Sequence, residues 1–482
     1  MRWSVAAAAR GSEVELLGLT AGEIAAASGG QVVRGDAGTP IGRVSIDSRT
    51  LAPGDLFVAI RGERFDGHEF VGGALERGAL GVVVDAAGEV AVLAAPVPSL
   101  VIRVADTTRA LQLVARDVRR RSGAKVVAIT GSAGKTTTKE ITADFLAAKH
   151  RVFRNKGNLN NHIGLPLSLL ELRSRPDVAV VELGMNHAGE ISTLVGIAEP
   201  DVRLWTNVGD AHLGFFESAD AIADAKAEIL EQASRDTVLV ANAADARVMA
   251  RVGGFKGRLV TFGLNVPADV EAVDVELRGL DGTRARLRTR QGETWLTTPL
   301  LGLGNLSNVL AAAATAIEFG IPLDVIRERA ARLAAATHRG ELLRLPGGIT
   351  LVDDSYNSSP SALKRALELV GSVRGCARKV AVLGEMLELG VHSTRLHAEC
   401  GRAAADAGLD ILIAVGGPPA RALAAAAIDA GLTAANVGHV ASKHEAAELA
   451  VARVRPGDLV LVKGSRGIGT DLVVERLKAE FA

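Results

Sequence analysis

The chain has 482 residues, of which 48 % are apolar, so it can bury more than one hydrophobic core and several domains are expected. It carries 55 basic and 55 acidic residues, and this balance argues against the broad basic face that nucleic-acid binding requires. Its two cysteines, Cys376 and Cys400, fit no metal-ligand spacing, and no apolar run approaches the roughly 18 residues of a membrane span. A reducing, cytoplasmic location is therefore expected.

Residues 1–105 predict a small α/β domain. Short apolar runs at 55–60 and 81–84 have the length and composition of strands, and turns rich in glycine and aspartate separate them. The apolar stretch at 5–9 is too short for a signal sequence and is followed by charged residues, so no cleaved leader is expected.

Residues 106–335 predict the largest, central domain. Its candidate strands at 126–129, 178–181 and 238–240 are continuous apolar runs separated by helix-length segments. Continuous apolar strands are buried on both faces, which indicates a parallel sheet. Residues 270–299 alternate between apolar and polar side chains instead, and this pattern predicts an antiparallel appendage.

Residues 336–482 predict a second α/β domain in which strands and helices alternate. Its candidate strands are residues 349–352, 379–383, 411–415 and 459–462. The expected fold class is therefore α/β with three domains. These are a small α/β N-terminal domain, a central domain with a P-loop-type parallel sheet, and a Rossmann-like C-terminal domain.

A glycine-rich turn at residues 130–137 follows the first central strand and precedes a segment of good helix formers. Glycines let backbone N–H groups converge on phosphate oxygens, and the helix N-terminus adds positive potential. Lys135 can then reach the terminal phosphates, and the Thr136 hydroxyl can hold Mg²⁺. The alternative is a strand–helix turn that uses glycine only for its geometry. The residues expected to bind ATP here are Gly131, Ser132, Ala133, Gly134, Lys135, Thr136 and Thr137.

Three further residues follow central strands or lie on a central helix. Glu182 ends the strand at 178–181, where a carboxylate can take Mg²⁺ or simply cap the next loop. His212 follows another apolar strand, and a lone histidine is more often structural because Mg²⁺ seldom selects imidazole. Lys226 lies on a helix, where the default is a solvated lysine paired with an acid.

The loop at residues 155–166 is dense in amides, among them Asn160 and Asn161. Burying or ordering so many amides is costly unless they bind something polar, so substrate binding is predicted. A flexible polar loop is the alternative. The same reasoning applies to residues 353–360, which follow the first strand of the last domain.

Together these segments resemble the Mur ligase family, ATP-dependent enzymes that form amides in bacterial cell-wall synthesis. Residues 130–137, Glu182, Lys226 and the segment 207–212 are similar to family-wide motifs. Two segments in the first domain, residues 47–49 and 54–59, resemble the part that holds the UDP end of the substrate. The segments that resemble the family member that adds D-alanyl-D-alanine are residues 158–167, 182–191, 353–360, 384–390 and 463–466.

The resemblance implies roles that the residue types alone do not. Lys226 matches a lysine carried as a carbamate, an anionic oxygen donor, and with His212 it would hold a second Mg²⁺ while Thr136 and Glu182 hold the first. The implied catalytic residues are Lys135, Glu182, His212 and Lys226. The implied contacts to the nucleotide are Asn305, Asn308, Arg339 and Asp354, and the implied contacts to the other substrate are Ser48, Arg49, Asn160 and Asn161.

The implied reaction joins D-alanyl-D-alanine to UDP-N-acetylmuramoyl-tripeptide through an acyl phosphate, using ATP and two Mg²⁺ ions. A monomer that binds neither nucleic acid nor membrane is expected. The alternatives are a sibling ligase that adds a diamino acid, a folylpolyglutamate synthetase, and, in another class, a P-loop regulatory NTPase.

Three features depart from the family pattern. Gly304 stands where the family usually has histidine before Asn305, and Ser358 and Ser359 replace the usual Ala-Asn pair before a proline. The first fifteen or so residues have no counterpart in the family.

Overall fold

The structure is a computed structural model that describes residues 16–62, 65–93, 100–210 and 213–482. The predicted site residue His212 and the N-terminal stretch at 5–9 lie outside the described residues. The described chain divides into two compact units. The first comprises Met1–Val126, Arg151–Ala179 and Gly196–Glu199; the second comprises Val127–His150, Val180–Val195 and Pro200–Ala482.

Most of the α-helices begin after a residue with an extended backbone. Before the first helix this residue is Thr20, which forms a capping box with Glu23. Within the described residues the helices are α1 (Ala21–Ser28), α2 (Val71–Glu76), α3 (Ala86–Leu93), α4 (Thr107–Ser122), α5 (Lys135–Leu146), α6 (Gly164–Leu170), α7 (Glu190–Ala198), α8 (Ala219–Ala227), α9 (Ala246–Met249), α10 (Gly302–Glu318), α11 (Leu323–Ala330), α12 (Pro360–Ser372), α13 (Ser393–Asp406), α14 (Pro418–Asp429), α15 (Lys443–Arg453) and α16 (Asp471–Glu480).

The strands form three separate sheets. In chain order they are β1 (Gln31–Arg34), β2 (Val44–Ser45), β3 (Leu56–Val58), β4 (Gly81–Val84), β5 (Val101–Arg103), β6 (Lys125–Thr130), β7 (Val152–Arg154), β8 (Val178–Glu182), β9 (Val202–Trp205), β10 (Val238–Asn242), β11 (Arg258–Leu264), β12 (Val270–Leu277), β13 (Thr283–Thr289), β14 (Gly292–Thr298), β15 (Glu341–Leu345), β16 (Ile349–Asp354), β17 (Lys379–Gly384), β18 (Ile411–Val415), β19 (Val437–Val440) and β20 (Leu459–Lys463).

The five-stranded sheet of the first unit has the order β1-β5-β4-β3-β2. Strands β2 to β5 are parallel and β1 pairs antiparallel with β5. Phe57, Val82 and Val101 pack in its buried apolar core. This confirms the small α/β region predicted from the first hundred residues.

A nine-stranded sheet has the order β14-β13-β12-β11-β10-β9-β6-β8-β7. From β6 through β9, β10 and β11 to β12 the strands are parallel. The continuous apolar runs of β6 and β10 predict this arrangement, whereas the parallel pairing of β12 with β11 was not predicted from its alternating sequence. Strands β12, β13 and β14 are antiparallel, with Ala285 and Leu287 buried between partly exposed arginines. The predicted antiparallel arrangement is thus confirmed for β12, β13 and β14, which extend one edge of the central sheet.

The third sheet has the order β15-β16-β20-β17-β18-β19 and lies in the second unit. Strands β16, β20, β17, β18 and β19 are parallel, and β15 pairs antiparallel with β16 at one edge. Two buried apolar clusters cover its two faces, one of them under α12 to α14 and the other under α15 and α16. The α/β class with three sheets is therefore confirmed, while the domain boundaries after residues 105 and 335 remain predictions. Among the described helices, none has the length and apolar character that crossing a bilayer would require.

Candidate functional site

The glycine-rich turn joins buried strand β6 to helix α5, as its sequence predicts. Gly131 and Gly134 both have positive φ, 148° and 82°. A Cβ on Gly131 would overlap the Thr206 hydroxyl, and one on Gly134 would overlap the Asn308 carboxamide. Only glycine fits at either position, so this turn brings bare backbone to the N-terminus of a helix, where phosphate groups bind.

Asn207, which follows β9, holds this turn from the opposite side. Its carbonyl accepts the Ser132 N–H (3.0 Å), and its side-chain oxygen accepts the Ala133 N–H (2.9 Å). Its amide nitrogen donates to the Ala133 carbonyl (3.0 Å). Sequence reasoning picked out segment 207–212 but assigned Asn207 no role. The signal was a polar side chain at the carboxyl end of a buried parallel strand.

The two predicted ligands of the first metal ion are brought together. The Thr136 hydroxyl, in the first turn of α5, donates to the Glu182 carboxylate across 2.7 Å. Glu182 is the last residue of β8 and is 2 % exposed. A hydroxyl and a carboxylate are hard oxygen ligands of the kind that Mg²⁺ prefers, so the donor set fits this ion.

Lys135 begins helix α5, and three charged side chains act on its ammonium. Its ammonium donates to the Gly131 carbonyl (2.8 Å), folding back over the turn. Burial lowers its pKa. The Glu182 and Glu388 carboxylates oppose that shift, and the Arg339 guanidinium adds to it. Charged residues of the central region and of the last α/β region therefore influence the same ammonium.

Lys226 is buried at the end of α8, with 1 % of its surface exposed. The default interpretation of this residue, a solvated surface lysine, is therefore wrong. Burial holds its pKa well below the usual value, and the Lys135 ammonium lowers it further. Within the described residues, no cluster of three or more His, Cys, Asp or Glu side chains is arranged so that it could hold a metal ion.

Helix α10 supplies the two asparagines predicted near the nucleotide. The Asn308 side-chain oxygen accepts the Thr138 hydroxyl (3.2 Å), and its amide nitrogen donates to Asn305 (3.3 Å). Asn305 in turn donates to the Leu301 carbonyl (3.0 Å). Because Asn308 also lies against Gly134, the first turns of α10 pack on the phosphate turn.

Arg339 precedes the last sheet, and Asp354 ends its strand β16. The Arg339 guanidinium stacks 4.0 Å from the centre of the Tyr356 ring. The Asp354 carboxylate accepts a hydrogen bond of 2.6 Å from the ammonium of Lys463. Lys463 is 3 % exposed. His338, just before Arg339, has a left-handed φ of 63° and contacts the buried Asp353 at 2.7 Å. These contacts fix the start of the last α/β region.

Hydrogen bonds to several distant segments hold the loop at residues 384–390. The Met386 N–H donates to Nε2 of the buried His397 (2.9 Å), and the Leu387 N–H donates to the Ser465 hydroxyl (3.0 Å). The Glu388 carbonyl accepts the Gly214 N–H (2.7 Å), and Glu388 itself has a left-handed φ of 65°. This loop therefore contacts the chain just beyond segment 207–212.

The ring of His397 predicts that the stability of the folded chain depends on pH. Nδ1 lies 2.7 Å from the Ser393 carbonyl, so Nδ1 carries the proton and Nε2 accepts from Met386. Burial lowers the pKa of His397 below its ordinary value of 6.5. As the pH falls through 6.5 the unfolded chain gains a proton that the folded chain does not, so the free energy of unfolding decreases.

We expect His397→Gln, whose side-chain oxygen can still accept the Met386 N–H, to lose this contribution to the pH dependence of the free energy of unfolding. Urea melts at pH 5–8 measure that dependence. An unchanged slope would contradict the assignment.

The predicted substrate residues of the first unit lie in two loops. Arg49 is 85 % exposed and pairs with Asp47 at 2.8 Å, and this hydrogen-bonded pair lowers the pKa of Asp47 to about 2. In the amide-rich loop, Asn161 accepts the N–H groups of Ile163 (3.3 Å) and Gly164 (2.8 Å) at the start of α6. At least one of the amide side chains in this loop, that of Asn161, therefore stabilises the conformation of the loop itself.

Arg49 can be tested without disturbing the fold, because its side chain is exposed and its only charged partner in the described structure is its neighbour Asp47. We expect Arg49→Ala to raise KM for the UDP-linked substrate several-fold while changing kcat little, since the contact is remote from the reacting groups. Steady-state kinetics with that substrate varied at saturating ATP measure both constants. An unchanged KM would leave Arg49 as an ordinary surface ion pair.

Models of three Mur ligase domains match the chain. The "Mur ligase family, catalytic domain" model matches residues 40–119, the "Mur ligase middle domain" model 129–316, and the "Mur ligase, glutamate ligase domain" model 338–466. These ranges cover the first, central and last sheet regions.

Known proteins match the chain over nearly its whole length. UDP-N-acetylmuramoyl-tripeptide–D-alanyl-D-alanine ligase of Bacillus subtilis is 34 % identical, covering 91 % of this chain and 93 % of its own. A crystal structure of MurF from Acinetobacter baumannii has a TM-score of 0.85 at 31 % identity, covering 96 % of this chain and 100 % of that one. MurF ligase from Thermotoga maritima in complex with ADP has a TM-score of 0.79 at 29 % identity, covering 91 % and 97 %. The chain belongs to the Mur ligase family.

Proposed function

We propose that this chain is an ATP-dependent ligase that joins D-alanyl-D-alanine to UDP-N-acetylmuramoyl-tripeptide in peptidoglycan precursor synthesis. The observation that carries this function is the relative of that name, which is 34 % identical across 91 % of the chain. The phosphate turn with its Thr136–Glu182 pair supports the use of ATP, as does the ADP bound by the relative from Thermotoga maritima.

The chemistry explains why ATP is needed. A carboxylate does not react with an amine unaided, because its oxygen is a poor leaving group. A carboxylate oxygen of the tripeptide attacks the γ-phosphorus of ATP, releasing ADP and giving an acyl phosphate. The dipeptide amine then attacks the acyl carbon, loses a proton, and expels phosphate. Lys135 and the backbone N–H groups of the phosphate turn offset the negative charge on the transferring group.

The metal ligands are part of the same proposal. Thr136 and Glu182 would hold one Mg²⁺, and His212 and Lys226 would hold the second. Bound at these residues, Mg²⁺ would offset negative charge on the phosphate groups. The 2.7 Å contact between Thr136 and Glu182 supports the first set. The burial of Lys226 close enough to Lys135 to perturb its pKa supports the second.

Lys226 is proposed to act as a carbamate. An ammonium is a poor partner for a metal ion and, next to Lys135, it adds to a cluster of positive charge. Burial favours the neutral amine, whose nitrogen can attack CO₂ and lose a proton to give an anionic carbamate with two oxygen donors. This turns an unfavourable buried cation into a metal ligand.

The remaining binding residues are assigned by position. Asn305, Asn308, Arg339 and Asp354 are proposed to contact the nucleotide. Asn308 lies against Gly134 and bonds to Asn305, Arg339 lies near enough to Lys135 to affect its pKa, and Asp354 ends strand β16. Ser48, Arg49, Asn160 and Asn161 are proposed to contact the UDP-linked substrate. A monomer that works in the cytoplasm, where ATP is available, completes the proposal.

A panel of acceptors distinguishes this function from its rivals. The purified chain is incubated with ATP, Mg²⁺ and each pair of carboxylate and amine substrates, and products are read by mass spectrometry. We expect amide product with UDP-N-acetylmuramoyl-tripeptide and D-alanyl-D-alanine. Product with meso-diaminopimelate or L-lysine instead would identify a sibling ligase, and glutamate added to a folate would identify a folylpolyglutamate synthetase. ATP hydrolysis with no amide from any pair would favour a regulatory NTPase.

A further inference from the structure

Gly304 in the first turn of α10 lies beside Arg365, which is far from it in the sequence. Gly304 lies in this turn and has no side chain. A Cβ on Gly304 would lie 3.5 Å from Nε and 3.8 Å from Cδ of Arg365, which is on α12. The Arg365 side chain therefore runs directly beside the bare backbone of Gly304.

This position is next to the phosphate turn. Asn308, one helical turn beyond Gly304, lies against Gly134 and is hydrogen-bonded to Asn305. One turn of helix advances about 5.4 Å, so Arg365 lies within reach of a ligand that extends from the phosphate turn along α10. Such a ligand is a nucleoside triphosphate whose phosphates bind at Gly134.

The N–H donors of the Arg365 guanidinium have no acceptor among the described residues. In the described part of the chain the guanidinium makes no hydrogen bond and no ion pair, and part of the residue is open to solvent. Desolvation by the surrounding protein lowers its pKa, while the Glu368, Asp210 and Asp354 carboxylates oppose that shift at longer range. These carboxylates attract the guanidinium without binding it, so its planar face and its N–H groups remain available to a ligand.

A planar guanidinium suits one part of ATP best. It can stack on an aromatic ring system and donate hydrogen bonds at its edge, which an ammonium cannot do as well. Adenine is such a ring system, and the neighbouring Asn305 supplies an amide that can bond to its edge. The phosphates, in contrast, already have Lys135 and the backbone N–H groups of the phosphate turn.

We propose that Arg365 is a nucleotide-binding residue that contacts the nucleoside of ATP in the space left by Gly304. This inference rests on the proposed function, since it requires that the phosphate turn binds ATP. It adds a contact from the last α/β region to a site whose other predicted base contacts, Asn305 and Asn308, come from α10.

Nucleotide binding measured by calorimetry tests this contact independently of turnover. We expect Arg365→Ala to raise the Kd of both ADP and ATP about tenfold, the size of one good cation–π or charged hydrogen-bond contact. Inorganic tripolyphosphate, which has no nucleoside, should bind the variant as it binds the wild type. Arg365→Lys should recover less than half of the lost affinity, because lysine keeps the charge but not the planar group.

Lys364→Ala is the matched control. Lys364 is the neighbouring cation on α12 and is engaged by Glu399 at 3.0 Å, so its removal should leave nucleotide binding unchanged. Wild-type ADP and ATP affinity in the Arg365→Ala variant would overturn the proposal, and so would an equal loss of tripolyphosphate binding, which would place Arg365 at the phosphates. Failure of the wild-type chain to bind ADP or ATP would instead overturn the ATP-dependent function itself.

Discussion

Lys226→Ala is expected to be almost inactive, with kcat reduced at least about 10²-fold, and to regain part of its activity when short carboxylic acids are added. The reason is the position of Lys226, which is 1 % exposed and close enough to Lys135 for the two charges to interact. A carbamate there supplies anionic oxygens, and a small carboxylate in the vacated space can supply them again. Lys226→Arg should stay inactive, because a guanidinium has no oxygen or lone pair for a metal ion.

The control for Lys226 is Lys226→Met, which keeps most of the buried volume and should be inactive with or without added acid. Folding of all three variants is checked by their melting temperatures. With ¹³C-labelled bicarbonate, the wild type should give a carbamate carbon resonance that Lys226→Met lacks. An active Lys226→Arg variant, or equal carbamate signals in both proteins, would contradict the carbamate and leave a buried structural lysine.

Lys135→Ala is expected to abolish turnover and leave the fold intact. Its side chain is only half-buried, and its one hydrogen bond in the described structure goes to the carbonyl of Gly131 in its own turn. Loss of one cation that stabilises the transferring phosphoryl group costs at least about 10²-fold in kcat. Amide formation under saturating substrates measures the effect.

Lys149→Ala is a suitable control for Lys135, since Lys149 lies after α5 and donates to the Gly320 carbonyl. Its kcat should match that of the wild type. A Lys135→Ala variant with near-normal kcat and an unchanged melting temperature would remove the phosphate turn from the mechanism.

The parts of the fold that could be predicted are those encoded by local sequence. Continuous apolar runs predicted β6 and β8, and the glycine-rich turn between β6 and α5 followed from its spacing alone. Glu182 was predicted to face a ligand because open α/β sheets place binding residues at the carboxyl ends of their strands. Its pairing with Thr136 was implied by the family resemblance, and the two side chains are 2.7 Å apart.

Other features depend on contacts between segments far apart in the chain. The burial of Lys226 could not be predicted, because its helix has an ordinary mixture of alanine and charged residues. Arg365 and Gly304 are 61 positions apart, and nothing in either segment indicates that they meet. His397 was missed for the same reason, since only the folded chain brings its ring to Met386.

Oxygen tracing tests the central claim, ligation through an acyl phosphate. The tripeptide substrate is prepared with both oxygens of its reacting carboxylate as ¹⁸O and is incubated with ATP, Mg²⁺, D-alanyl-D-alanine and the purified chain. We predict one ¹⁸O in each released phosphate and one in each new amide, in equal amounts, because the carboxylate oxygen that attacks phosphorus leaves with it. Phosphate free of ¹⁸O, with no amide formed, would contradict the account and identify simple hydrolysis of ATP.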